Sequence, residues 1–281
     1  MNSQFTPVRP VSTPAPYMGG KRALAPKIVE RINRVPHKLY VEVFVGMGGV
    51  FFKRNNQPQA EVINDKSGEV VNLFRILQRH YVPFMDYLRY QLTSRKEFER
   101  LVSVIPTTLT DLERAARFLY LQRTSYGGKV TGQSFGVAPE RPARFDVSKL
   151  GPALEEIFER LSGVVIENLD WSVVMERYDR ADALFYLDPP YWGCEDDYGK
   201  EVFSREDFAL IADKMKTMQG RAILSLNDTP GVRETFAGLN METFELQYMI
   251  GQASGGPKEV TEVLIYNFDL PDEGLFSLLG T

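Results

Sequence analysis

The sequence predicts an α/β fold: a mostly parallel sheet covered by helices on both faces, with an antiparallel hairpin at one edge. Three observations predict it. The apolar run YVEVFVGMGG (40–49) reads as a buried strand entering a glycine-rich turn. The next strand, EVIND (61–65), leads straight into the helical pattern SGEVVNLFRILQ, giving a βαβ-like opening. Strand and helix patterns then alternate again from residue 150 onward, and strands separated by helices imply parallel pairing with both faces covered. The last two strands, 243–250 and 260–268, are joined only by the glycine-containing loop QASGGPKE, which suits a hairpin.

Taken in order, Pro7, Pro10, Pro14 and Pro16 make the first sixteen residues an extended, mobile arm. Apolar residues recur at helical spacing from Leu24 to Val35, ahead of the first strand. A helical middle follows. Ser94 with Glu97 and Thr110 with Glu113 have capping-box spacing and open helices of about a dozen residues, the first stopping at Pro106 and the second running through FLYLQRTSY to Gly127 and Gly128. Residues 127–147 are rich in Gly, Pro and basic side chains, with little periodicity, and read as a loop-built insertion. The remaining elements are a helix at 150–161, strand VVIENL (164–169), helix WSVVMERY, strand ALFYL (183–187), helix 205–218, strand AILSLN (222–227) and helix 231–238.

Composition narrows the function. A chain of 281 residues at 43% apolar and 25% charged can bury a substantial core, which excludes disorder and coiled coil. No run approaches the length of a membrane span and the amino terminus lacks signal-peptide regions, so the expectation is a soluble, cytoplasmic protein. Cys194 is the one cysteine, ruling out an internal disulfide. With only His37 and His80 beside it, no zinc cluster or other metal site is expected. The net charge of −4 hides an asymmetry: residues 1–60 carry nine Lys/Arg against two acids, whereas residues 182–213 carry nine acids against Lys200 and Arg205. One face of such a protein suits a polyanion.

In an open α/β sheet ligands bind beyond the carboxyl ends of the strands, and three such ends stand out. Phe44-Val45-Gly46-Met47-Gly48-Gly49 lacks the Cβ atoms that would keep a bound molecule off the backbone. Asp65, seventeen residues after Gly48 at the end of the next strand, has nearly the spacing at which an acidic residue holds a ribose hydroxyl. This pair points to an adenosine-containing cofactor without separating a nicotinamide dinucleotide from other ribosides. The third end, Asp188-Pro189-Pro190-Tyr191, decides. Two prolines with fixed φ and no N–H hold the Asp188 carboxylate and the Pro189 carbonyl rigidly, with an aromatic ring beside them. A planar amine needs two acceptors for its N–H protons and a face to stack on.

From Pro16 to about Asp269 the chain resembles the Dam-like, or D12 class, DNA adenine-N6 methyltransferases. PYMGGK (16–21) resembles the family's opening segment, VEVFVGMGGVF (41–51) its cofactor loop, INDKS (63–67) its ribose-binding strand end and DPPY (188–191) its catalytic motif. FLYLQRTSYGG and FGV (135–137) match the stretch before and within its DNA-reading insertion. The resemblance implies a Rossmann-like sheet using S-adenosylmethionine. Tyr17, Lys21, Phe44, Gly46, Asp65 and Asp188 would contact the cofactor, and Asp188, Pro189, Pro190 and Tyr191 would form the catalytic cradle. It divides the chain into an arm (1–16), a catalytic domain (17–80 and 150–270) and a target-recognition insertion (81–149). Tyr17 stands where the family often has Trp, and Gly127-Gly128 where it often has Asn-Gly.

An adenine amino group inside a duplex is reachable only after base flipping. The expected partner is therefore double-stranded DNA, contacted by Arg123, Tyr126, Lys129, Arg141 and Arg144, with Tyr126 able to wedge into the gap. The enzyme is expected to act as a monomer, alone or in a restriction-modification pair with a companion restriction endonuclease. Three rivals are weighed. An RNA or cytosine-N4 methyltransferase would use a similar acceptor geometry, although cytosine-N4 enzymes carry serine where this chain has Asp188. An inactive DNA-binding scaffold has no reason to keep both Asp65 and Asp188, and a nicotinamide dehydrogenase leaves the Asp-Pro-Pro-Tyr element without a role.

Overall fold

The computed structural model describes residues 5–17, 19, 21, 23–126, 132–136, 144–195, 203–248 and 258–269; the side chains of 246–248 and 258–260 are not described. In chain order the elements are β1 (Thr6–Pro7), α1 (Ala25–Asn33), β2 (Leu39–Glu42), β3 (Asn56–Gln57), β4 (Ala60–Asn64), α2 (Gly68–Arg79), α3 (Tyr81–Leu88), α4 (Arg95–Ser103), α5 (Asp111–Thr124) and α6 (Val147–Arg160). They continue with β5 (Val165–Glu167), α7 (Trp171–Tyr178), β6 (Ala183–Leu187), α8 (Arg205–Thr217), β7 (Arg221–Asn227), α9 (Pro230–Thr235), β8 (Asn240–Tyr248) and β9 (Lys258–Tyr266).

Seven strands form one sheet in the order β5-β4-β2-β6-β7-β9-β8. The first five run parallel, β9 runs antiparallel to β7, and β8 closes the edge as a hairpin with β9. This is the expected fold class, edge hairpin included. All five residues of β6 are buried, as a strand covered on both sides requires. Leu184 and Tyr186 join a core made with α1 to α6, whereas Ala183, Phe185 and Leu187 join a second core made with α7 to α9. The period of two in the strand thus sorts its side chains between two helical layers.

Local signals set the helix starts. Ser94 accepts from the Glu97 N–H at 3.1 Å, and Thr110 with Glu113 forms a complete capping box, as the spacing predicts. Asp146 caps α6, which therefore begins three residues before the predicted start. Helix α3 has no counterpart in the periodicity reading. Its eight residues bury only Phe84 and Leu88, too few repeats to show a stripe.

The proline-rich arm is extended but docked, not free. Thr6–Pro7 pairs antiparallel with Asn56–Gln57, the Val8 and Val11 N–H groups donate to Asn55 and Phe52, and Val11 and Ala15 are buried. Helices α3 to α5 share the continuous core of α1 and α2. Among the described residues no helix is long and apolar enough to cross a membrane.

Candidate active site

Strand order reverses between β2 and β6. From β2 the chain moves outward through β4 to β5, and from β6 it moves the opposite way through β7. The segments leaving the carboxyl ends of β2 and β6 therefore diverge and leave a crevice, the usual ligand site of such sheets. A cavity of about 550 Å³ lies there, walled by the arm (Ser12 to Tyr17), the turn after β2, the end of β4 and the Asp188 segment.

One wall is built from the glycine turn and Asp65. Gly46 and Gly48 have φ of +50° and +74°, which disfavours any residue with a Cβ. A Cβ on Gly46 would meet the Tyr17 ring at 3.1 Å, and one on Gly48 would overlap the Phe52 ring. These glycines thus admit the protein's own aromatic rings. Asp65 bridges the turn to the next helix: its Oδ2 accepts from the Gly46 N–H and its Oδ1 from the Ser67 N–H, both at 2.8 Å. Burial pushes the Asp65 carboxyl up to about 6, against the opposing pull of those two N–H groups. Phe44 and Phe203 both line the cavity and meet edge to face, with centroids 5.9 Å apart.

The opposite wall is a cluster of charged and hydroxyl side chains around Asp188. Lys21, 1% exposed, places its ammonium 3.1 Å from Asp188 Oδ1, 3.1 Å from Glu262 Oε2 and 2.8 Å from the Tyr191 hydroxyl. Its ammonium thus hydrogen-bonds the Tyr191 hydroxyl and pairs by charge with two carboxylates. Ser225 donates to Asp188 Oδ1 at 3.0 Å, and the Tyr186 hydroxyl lies 2.8 Å from the Ser225 hydroxyl. Among the described residues Asp188 Oδ2 accepts no hydrogen bond. Burial raises the Asp188 carboxyl to about 6; Lys21 pulls it down and Glu262 pushes it up. Pro189 and Pro190 are buried, and Pro190 lines the cavity. Asn227 clips Trp192, two residues on, accepting from its N–H at 2.9 Å and donating to its carbonyl at 3.0 Å.

The structure thus brings together Tyr17, Lys21, Phe44, Gly46, Asp65 and Asp188 around one cavity. Tyr191 is tied to it through Lys21. Arg123 also lines the cavity: it donates to the Pro14 carbonyl at 2.7 Å, so it anchors the arm to α5. Tyr126, at the end of α5, is 63% exposed. Arg144 donates to the Ser125 carbonyl and packs over Gly136. Lys129 and Arg141 lie outside the described residues.

Glu42, Ser225, Asn227 and Glu262 escape the sequence reading. Glu42 lines the cavity with its carboxyl pushed up to about 8 by burial, accepting from the Tyr40 hydroxyl at 2.7 Å. A lone acid inside an apolar strand run was the available signal in VEVF and EVLIY. Buried charge is retained only where it is paired or used.

Residues 17–250 match the model of the D12 class N6 adenine-specific DNA methyltransferases. The chain is 25% identical to the type II methyltransferase M.CviBI of Paramecium bursaria Chlorella virus NC1A, covering 77% of this chain and 83% of that one. It is also 25% identical to the type II methyltransferase M1.LlaDCHI of Lactococcus lactis subsp. cremoris, covering 90% and 94%. A DNA N-6-adenine-methyltransferase of Escherichia phage P1 is 27% identical over 78% of this chain but 30% of its own length. With the family's motifs converging on one cavity at the reversal of the sheet, this chain belongs to the D12 class of N6 adenine-specific DNA methyltransferases.

Proposed function

We propose that the cavity binds S-adenosylmethionine and that Asp188 accepts the amino hydrogens of an adenine swung out of duplex DNA. One observation carries this reading: Lys21 and Ser225 both hold Asp188 Oδ1, leaving Oδ2 at the cavity wall to meet the substrate. The residues fit the donor. Asp65 accepts one backbone N–H on each oxygen, and each oxygen keeps a lone pair for a ribose hydroxyl. Tyr17, Phe44 and Phe203 supply apolar walls, and Gly46 lets Tyr17 approach the turn. Lys21 is engaged by the Tyr191 hydroxyl and by the charges of Asp188 and Glu262, so it acts on the bound donor through its charge and stem.

When bound, the donor supplies an electrophilic methyl on a sulfonium. The chain's own contribution is to aim and polarise the nucleophile. Asp188 Oδ2 and the Pro189 carbonyl accept the two N6 hydrogens, which withdraws the nitrogen lone pair from the ring and directs it at the methyl carbon. The proton that N6 would give up on accepting the methyl has Asp188 or water to receive it, and Asp188 would hold the positive charge that develops on N6 until then. Lys21 lies over one face of the Tyr191 ring, 4.0 Å from its centroid, so the base stacks on the other.

Tyr126 fills the gap in the duplex and Arg123 and Arg144 stand at the same end of α5. Arg144, with Lys129 and Arg141, supplies the DNA-facing charge of residues 81–149, whereas Arg123, turned to Pro14 at the cavity, serves the DNA only through the arm it anchors. A cytoplasmic location, where duplex DNA is within reach, belongs to the same proposal. The type II designation of two relatives supports a companion restriction endonuclease; that the methyltransferase acts as a monomer is part of the same proposal. Methyl transfer from radiolabelled donor to duplex DNA tests the central reading: Asp188→Ala is expected to bind DNA and lose nearly all methyl transfer, and near-normal turnover in that variant overturns it. RNA and protein in the same assay test the rival acceptors.

A further inference from the structure

We propose that Glu262 is a positioning residue for methyl transfer, holding the Tyr191 ring and the Lys21 ammonium in the arrangement Asp188 requires; this rests on the reading of Asp188 given above. Three contacts close a ring. Lys21 donates to the Tyr191 hydroxyl at 2.8 Å, that hydroxyl donates to Glu262 Oε1 at 2.6 Å, and Glu262 Oε2 lies 3.1 Å from the Lys21 ammonium. Glu262 is fully buried, a placement that costs several kcal/mol for an unpaired carboxylate and persists only with partners of this kind. A tyrosine that only stacks needs no fixed hydroxyl. Here the hydroxyl is held both as acceptor and as donor, which fixes where the ring plane stands.

The topology explains how the residue reaches the site. β9 runs antiparallel to β7, and Glu262 pairs with Asn227, the last residue of β7. The first half of β9 therefore lies at the end of the sheet where β2, β6 and β7 deliver their carboxyl ends. The groups facing Asp188 are Lys21 from the segment before α1, Ser225 from β7 with Tyr186 of β6 behind it, Glu42 from β2 and Glu262 from β9. Replacing Glu262 by glutamine removes a like charge and leaves Lys21 facing Asp188 alone. Both changes make Asp188 easier to ionise.

The test compares single-turnover methyl transfer and its pH profile in the wild type, Glu262→Gln, Tyr191→Phe and the double variant. Glu262→Gln is expected to slow transfer at the pH plateau by about tenfold, the scale of one lost charged hydrogen bond. It is also expected to move the acidic limb of the profile to lower pH, a shift that a merely structural role would not produce. Tyr191→Phe keeps the ring and removes only the hydroxyl; it too is expected to slow transfer by about tenfold. The double variant is expected to lose little more than the worse single, because both act on one link. A folded Glu262→Gln enzyme with wild-type rate and limb overturns the proposal, as do losses that multiply in the double variant. Should Glu262→Gln fail to fold, a wild-type rate in Tyr191→Phe overturns it instead. Asp188→Asn separates the two layers: if it remains active the Asp188 reading falls, and if it is dead while Glu262→Gln is normal only the role of Glu262 falls.

Discussion

Asp65 and Asp188 stand at the ends of β4 and β6, either side of β2, and burial pushes both carboxyls up to about 6. They are held by different means. Asp65 is gripped by two backbone N–H groups from residues 46 and 67, a contact set by how the local chain turns. Asp188 is gripped by Lys21, Ser225 and, through Lys21, Glu262, side chains drawn from the two ends of the sequence and the middle of the sheet. The difference teaches that the hold on Asp65 is set by backbone turns at two neighbouring strand ends, while the hold on Asp188 exists only once the whole sheet has assembled.

Substitutions can break or sharpen that contrast. The largest effect is expected at Asp188. Asp188→Ala should lower the methyl-transfer rate by about a thousandfold, the scale seen when one preorganised group is removed from a reacting centre, while DNA binding measured by filter retention persists. Acidification should mimic it. On the proposed role the Asp188 anion accepts the amino hydrogens, so kcat/KM should fall about tenfold per pH unit below about 6 as the raised Asp188 carboxyl takes up its proton; a flat profile down to pH 5 would remove Asp188 from that role. Asp65→Ala should instead act on binding and folding. It strands the Gly46 and Ser67 N–H groups, costing about 1–3 kcal/mol in urea unfolding, and raises the cofactor KM more than it lowers kcat. The smallest change is expected from Ser225→Ala, which removes one of two donors to Asp188 Oδ1 and should slow transfer severalfold, about 0.5–1.5 kcal/mol, with cofactor KM unchanged.

The contrast also explains what could be read from the chain. The glycine turn, Asp65 and the Asp-Pro-Pro-Tyr element are short, contiguous and follow strand ends, so a rule that inspects those ends finds them. Glu262 lies near the beginning of its strand. Because β9 runs against the parallel strands, its opening residues occupy the same end of the sheet, and inspecting only strand exits passes over it. Glu42 and Ser225 sit inside apolar runs, where periodicity records strand and nothing more. The arm misled for another reason: its prolines correctly signal extended backbone, but its docking depends on Val11 and Ala15 filling a groove formed by remote residues. Helix α3 was missed because eight residues with two core contacts give no readable stripe.

The docked arm has a practical corollary. Ser12, Thr13 and Ala15 form part of the cavity wall, and Arg123 clasps Pro14 only seven residues ahead of Lys21. Trimming the chain past Val11 should therefore both unroof this cavity and slacken the segment that carries Lys21 to Asp188.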